Sequence, residues 1–246
     1  MTGKFKNFIM AILVLELTFS LSISSYSQEG RSATNVNGGL GYSMLGTGML
    51  NLSNLNSMLK SNGYPALSEN LFMAGGGGHG VINRLIIGGE GYSLLGDDVV
   101  YNGMKQSVYA SCGFFDIGYI ALSYKGLNMY PLVGIGGGEM IYSIKEDISS
   151  VSFAEILDDP QRSVELKTGG FLLNLGGGIN YILSLRRDNP VRGGFLLGVR
   201  AGYTLTPFRG DWLMDEIEVS GSPKTGINGP FISITIGGGV LVSTDR

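Results

Sequence analysis

Few side chains in this chain of 246 residues have the type and spacing to do chemistry. There is one His, His79, and one Cys, Cys112. One imidazole and one thiol leave no recognisable zinc or haem site, and a lone Cys closes no intramolecular disulfide. Cys112 falls in an apolar run, so a buried structural thiol is expected there rather than a nucleophile. Gly75 to Gly80 fits the dinucleotide-binding pattern Gly-x-Gly-x-x-Gly, but it neither opens a helix nor sits in a βαβ unit. The match is a by-product of glycine abundance. Charges remain. Arg84, Glu90, Asp116, Glu139 and Arg200 stand inside otherwise apolar stretches, where a charge needs a partner.

The elements that must position these charges are glycine-rich. Gly accounts for 41 of 246 residues, well above the usual ~7%. With only 7 Pro and no three-residue period, collagen is excluded. The glycines alternate with Leu, Ile, Phe and Tyr, and the mean hydropathy is +0.21, which excludes a disordered linker. A formal net charge of −3 and a pI near 5.2 leave no basic stripe for nucleic acid.

The apolar residues recur with period two. Phe195, Leu197, Val199, Ala201 and Tyr203 share one strand face, opposite Gly198, Arg200, Gly202 and Thr204. Ile232, Ile234, Ile236 and Val240 oppose Ser233, Thr235, Gly237 and Gly239 in the same way. So do Leu173, Leu175, Ile179 and Tyr181 against Asn174, Gly176, Gly178 and Asn180. Bulky apolar groups on one face and small polar groups on the other fit a barrel with lipid outside and a polar interior. The segment Gly38–Gly46 recurs as Gly88–Gly96, and Gly169–Leu173 recurs as Gly193–Leu197, which indicates reused strand motifs. Eight strands are predicted, near 34–46, 69–79, 82–96, 106–124, 128–145, 165–185, 191–206 and 229–243. In the fourth, Gly113, Gly118 and the pair Phe114-Phe115 mark an expected bulge or kink.

Connection lengths alternate. Tight turns are expected at Gly80–Ile82, Lys125–Leu127 and Arg186–Pro190, and longer segments join the other pairs, so all long loops lie at one end. Leu52, Leu55 and Leu59 before Asn62-Gly63, and the capping box Ser152-Phe153-Ala154-Glu155 stopped by Pro160, predict short helices in two of those loops. Each is expected to pack on the barrel rim. Acidic residues crowd the long loops, without the alternating pattern of a calcium-binding loop, and read as solvated. At the start of the chain, Lys4 and Lys6, the apolar stretch Phe8–Phe19 and Ser25-Tyr26-Ser27 form a secretory signal peptide over 1–27, leaving 28–246 as a single domain.

These features resemble the small outer-membrane β-barrel proteins of diderm bacteria, the class that includes the barrel domain of outer-membrane protein A. The resemblance implies an all-β chain: an eight-stranded antiparallel up-and-down transmembrane β-barrel with short helices in the long loops. It also implies outer-membrane lipid around the barrel, and the barrel-assembly machinery as a partner during biogenesis. Such chains usually end on an aromatic residue, whereas here Phe231 is the last one and the chain finishes Leu241-Val242-Ser243-Thr244-Asp245-Arg246. An eight-stranded interior is just wide enough to be filled by side chains. An interior ion-pair network is therefore expected, joining Arg200 to Glu90, Glu139 or Asp116, with Arg84 also within a strand. The expected role is structural or surface-interacting, without catalysis or cofactor. His79 falls beside a short turn, away from the end where a lipid-modifying triad would act. The alternatives are a soluble, lipocalin-like barrel around a small apolar ligand and a narrow gated channel. The partner of the long loops is left open.

Overall fold

The computed structural model describes residues 35–148, 150, 152–158, 163–184 and 191–244. The expected signal peptide and the turn expected at Arg186–Pro190 lie outside the described residues. Among the described residues, twelve strands and two helices follow one another: β1 Asn35–Met49, α1 Ser53–Ser61, β2 Asn70–Ile82, β3 Leu85–Leu95, β4 Val99–Tyr101, β5 Met104–Tyr119, β6 Leu122–Tyr124, β7 Leu127–Glu146, α2 Phe153–Asp158, β8 Ser163–Ser184, β9 Val191–Arg209, β10 Leu213–Met214, β11 Ile217–Glu218 and β12 Gly229–Thr244. Eight of them, β1, β2, β3, β5, β7, β8, β9 and β12, are long and pair antiparallel in chain order. β12 then pairs with β1, from Asn35 opposite Thr244 to Gly48 opposite Phe231, and closes the barrel. The remaining strands are short pieces of hairpin at the rims.

One turn and one strand end differ from the sequence expectation. The β2–β3 turn is Asn83-Arg84 rather than Gly80–Ile82, and both residues are left-handed, with φ of 49° and 70°. That pair of positive φ angles marks the type I′ turn, whose twist matches that of a hairpin. The same device recurs at Asn102-Gly103 and Lys125-Gly126. The expected fourth strand, 106–124, stops at Tyr119, and Ile120 turns inward with 1% exposure before β6 starts a separate hairpin with β7. No bulge occurs at Gly113 or Gly118: β5 keeps continuous register with β3 and β7. A register shift does occur between β8 and β9, at Phe171 and Leu173.

Outward-facing Ile232, Ile234, Ile236, Leu197, Val199, Leu175 and Ile179 are exposed, as the alternation requires. The inward face is less uniform than β8, β9 and β12 suggest. On β1, β2, β3 and β5 large apolar residues stand on both faces: Met44, Met73, Tyr92, Leu94 and Phe114 point in and are buried, while Leu45, Phe72, Phe115 and Ile117 are exposed outside beside Gly41, Gly78 and Gly113. Small residues on one wall leave room for large ones from the opposite wall, which fills a narrow lumen. At the loop end, these side chains form an apolar cluster with Leu55 and Leu59 of α1, which lies across the barrel mouth. At the turn end, Val36, Val81, Ile86, Ile120, Leu132, Ile182 and Leu241 form a second apolar cluster.

Several glycines therefore serve as seats for side chains rather than as bends alone. Gly77 lies under the Tyr42 hydroxyl and Gly202 under the Phe231 ring. A Cβ on Gly178 would stand 2.6 Å from the Tyr130 hydroxyl and 3.0 Å from Arg200 Cγ. Gly178→Ala should destabilise the folded barrel by about 1–3 kcal/mol through overpacking. Gly41→Ala, whose Cβ meets nothing within 4 Å, should stay within about 0.5 kcal/mol of the parent. Urea midpoints of the two variants, measured side by side, test the contrast. Equal midpoints would show that the seats are not tight.

Candidate functional site

Between the two apolar clusters the interior is polar. Along β3 the inward residues run Ile86, Glu90, Tyr92 and Leu94, so Glu90 falls between the turn-end cluster and the loop-end one. Arg200 on β9 reaches it from across the lumen. The guanidinium forms an ion pair with Glu90. Its Nη2 donates to Glu90 Oε1 at 3.1 Å and its Nη1 donates to the Tyr42 hydroxyl at 2.7 Å. Tyr42 in turn donates to Glu90 Oε2 at 3.0 Å, and Asn174 Nδ2 donates to Glu90 Oε1 at 3.1 Å. The guanidinium also lies 5.7 Å from the Tyr42 ring centroid. Arg200 is 2% exposed and Glu90 6%, so both charges are out of bulk water and depend on these contacts.

Asp116 belongs to the interior but not to Arg200. It is fully buried, and its Oδ2 stands 2.9 Å from His79 Nε2. Register explains the pairing. Gly88 on β3 is opposite His79 on one side and Asp116 on the other, and with no side chain between them the two meet. The same row continues through Gly134 to Asn174. His79 Nδ1 comes within 3.4 Å of the Tyr42 hydroxyl, which joins the two halves into one network drawn from β1, β2, β3, β5, β8 and β9.

Glu139 and Arg84 take no part in it. Glu139 is exposed on the outward face, opposite Ser111 and Gly169, because its neighbour Met140 is the residue buried inward. Alternation could not assign it, since both faces of β7 read almost alike. Arg84 is not in a strand but in the β2–β3 turn, where its Nη1 donates to the carbonyl of Ile120 at 3.4 Å. His79, Tyr42 and Asn174 are the members that sequence reasoning left out. Parity with Met73 and Val81 marks His79 as inward-facing once β2 is recognised as a strand.

At the loop end the two helices differ. Leu55 and Leu59 of α1 are buried, whereas α2 buries nothing and exposes Phe153 and Leu157. The rim packing expected of both therefore holds for α1 alone. The α2 capping box does form: Glu155 N–H donates to Ser152 Oγ at 3.2 Å, and Ser152 N–H donates to Glu155 Oε2 at 2.7 Å. At the rim, Lys105 at the start of β5 donates its Nζ to Asp98, just before β4, at 2.6 Å, and that hydrogen bond raises the Lys105 pKa above the ordinary lysine value.

No protein-family model matches this chain, and no curated protein matches it. Among solved structures, the chain is similar to that of Ail, the attachment invasion locus protein of Yersinia pestis. The TM-score is 0.43 at 9% identity, over 84% of this chain and 98% of that one.

Proposed function

We propose that the chain is a bacterial outer-membrane β-barrel of structural or surface-interaction type, without catalysis. The observation that carries this reading is the outward face. Ile232, Ile234 and Ile236 are each about half exposed, at 52%, 53% and 43%, beside Leu197, Val199 and Leu45 on the neighbouring strands. A continuous belt of that kind would be costly in water and is matched by hydrocarbon. The long loops then stand on the cell surface, and the exposed apolar residues of α2 are the natural contact for a partner there. The short turns face the periplasm.

The interior argues against the other two readings. A lipocalin-like carrier needs a roomy cavity, and among the described residues a hollow lined by Met140, Thr168, Leu172, Thr206 and Ile227 is too narrow for a water-sized sphere. A channel needs a lumen, and here apolar clusters close the barrel on both sides of the Arg200–Glu90 network. Membrane fractionation with heat-modifiable gel mobility tests the proposal. The protein should be recovered with the outer membrane and resist alkaline extraction; recovery in the soluble periplasm would overturn it. Planar bilayers should stay silent for the parent chain, and conductance that changes in Arg200→Ala would establish the channel instead.

A further inference from the structure

The single His of the chain lies against two carboxylates inside the barrel. One ligand-type atom each from His79, Glu90 and Asp116 falls within 4.8 Å of the others, and all three side chains are buried. They come from three adjacent strands, β2, β3 and β5, so no short sequence spacing announces them. Two further observations set the group apart from a self-contained network.

The first is charge. Two buried carboxylates, Glu90 and Asp116, face one buried guanidinium, Arg200, among the described residues. Arg200 is committed to Glu90 and Tyr42, which leaves Asp116 with an imidazole and no permanent cation. The second is an unmet demand. Asp116 Oδ1 is buried without a hydrogen-bond partner, and so is Asn174 Oδ1. Both residues border Gly134, where an added Cβ would stand 2.6 Å from Asp116 Oδ1 and 3.2 Å from Asn174 Cβ. Buried acceptors beside an unbalanced carboxylate call for a cation.

We propose that His79 and Asp116, with Glu90 as third ligand, hold one divalent transition-metal ion of the zinc or manganese class. Imidazole nitrogen combined with carboxylate oxygen suits first-row transition ions better than magnesium or calcium, which take oxygen alone. The 2.9 Å between His79 Nε2 and Asp116 Oδ2 is a direct hydrogen bond, and an ion about 2.1 Å from each atom would replace it, with the pair opening to roughly 3.4 Å for tetrahedral ligation. His79 binds as the neutral imidazole, so any proton it carries leaves as the ion arrives. Glu90 is the weakest of the three ligands, because Arg200, Tyr42 and Asn174 already hold its oxygens. Apolar clusters cover both ends, so the ion is taken up as the barrel closes and exchanges slowly afterwards.

The test uses the chain refolded from urea into detergent micelles with zinc, manganese or cobalt chloride, then washed with EDTA. About one ion per chain should survive the wash and be released on unfolding. The cobalt form should show visible d–d absorption. His79→Gln and Asp116→Asn should each lower the retained metal by roughly tenfold or more, while Cys112→Ser should not. Heat-modifiable mobility reports whether each variant has folded, and the metal content of the parent chain needs no variant at all. Less than about a tenth of an ion per parent chain after the wash, or equal retention by the folded variants and the parent, would overturn the proposal.

Discussion

Arg200→Met should lower the unfolding free energy of the barrel by about 3–5 kcal/mol, the usual cost of stranding one partner of a buried ion pair. Arg200 and Glu90 are 2% and 6% exposed. Removing the guanidinium leaves Glu90 with only the neutral donors Tyr42 and Asn174. The loss is thus mainly the penalty on Glu90, not the worth of the pair. Arg200→Met combined with Glu90→Gln should therefore recover most of the stability, because a neutral amide no longer needs a cation in a low-dielectric interior. The single Trp is a convenient reporter: Trp212 is 3% exposed in the loop-end cluster and donates its Nε1–H to the Pro223 carbonyl at 2.8 Å. Urea titrations followed by its fluorescence give the cycle. If the double variant is no more stable than the single, the Arg200–Glu90 contact is not what holds the waist of the barrel.

The second large effect belongs to the outward face. Ile234 lies between Leu45 on β1 and Val199 on β9 and is 53% exposed. In a membrane that position faces hydrocarbon, and Ile234→Lys should cost about 2–4 kcal/mol in lipid vesicles if it lies near the midplane. Ile217→Lys is the control. Ile217 is 65% exposed in a rim hairpin beyond the barrel, and its substitution should change stability by no more than about 0.5 kcal/mol. The contrast isolates solvent from packing, since neither side chain is part of the interior. A water-facing barrel would tolerate Ile234→Lys as readily as Ile217→Lys, so equal urea midpoints in vesicles would remove the membrane reading.

Much of the fold is legible in the sequence because period-two alternation is a local property. The eight long strands and the alternation of long and short connections follow from residues a few positions apart, and so does the inward direction of Arg200. The site is less legible. Glu139 sits among glycines and apolar residues on both faces of β7, and only the burial of Met140 settles which way it points. Asp116 and His79 are brought together by the absence of a side chain at Gly88 on the strand between them, a relation set by the register of three strands.

Composition and alternation by themselves determined that this chain forms an array of antiparallel strands with small groups set among bulky ones. They also placed Arg200 opposite the apolar face. The tertiary structure decided who meets whom: Arg200 with Glu90 across the lumen, His79 with Asp116 over Gly88, and α1 across the barrel mouth. The physical reason is that side-chain direction depends on the backbone of one strand. Contact across a barrel depends on closure and register, which couple residues more than a hundred positions apart, such as Arg200 and Glu90. Glycine shows the same division. Its abundance is plain in the sequence, but its use as a seat for Tyr42, Tyr130, Phe231 and Arg200 exists only once the opposite walls are brought together.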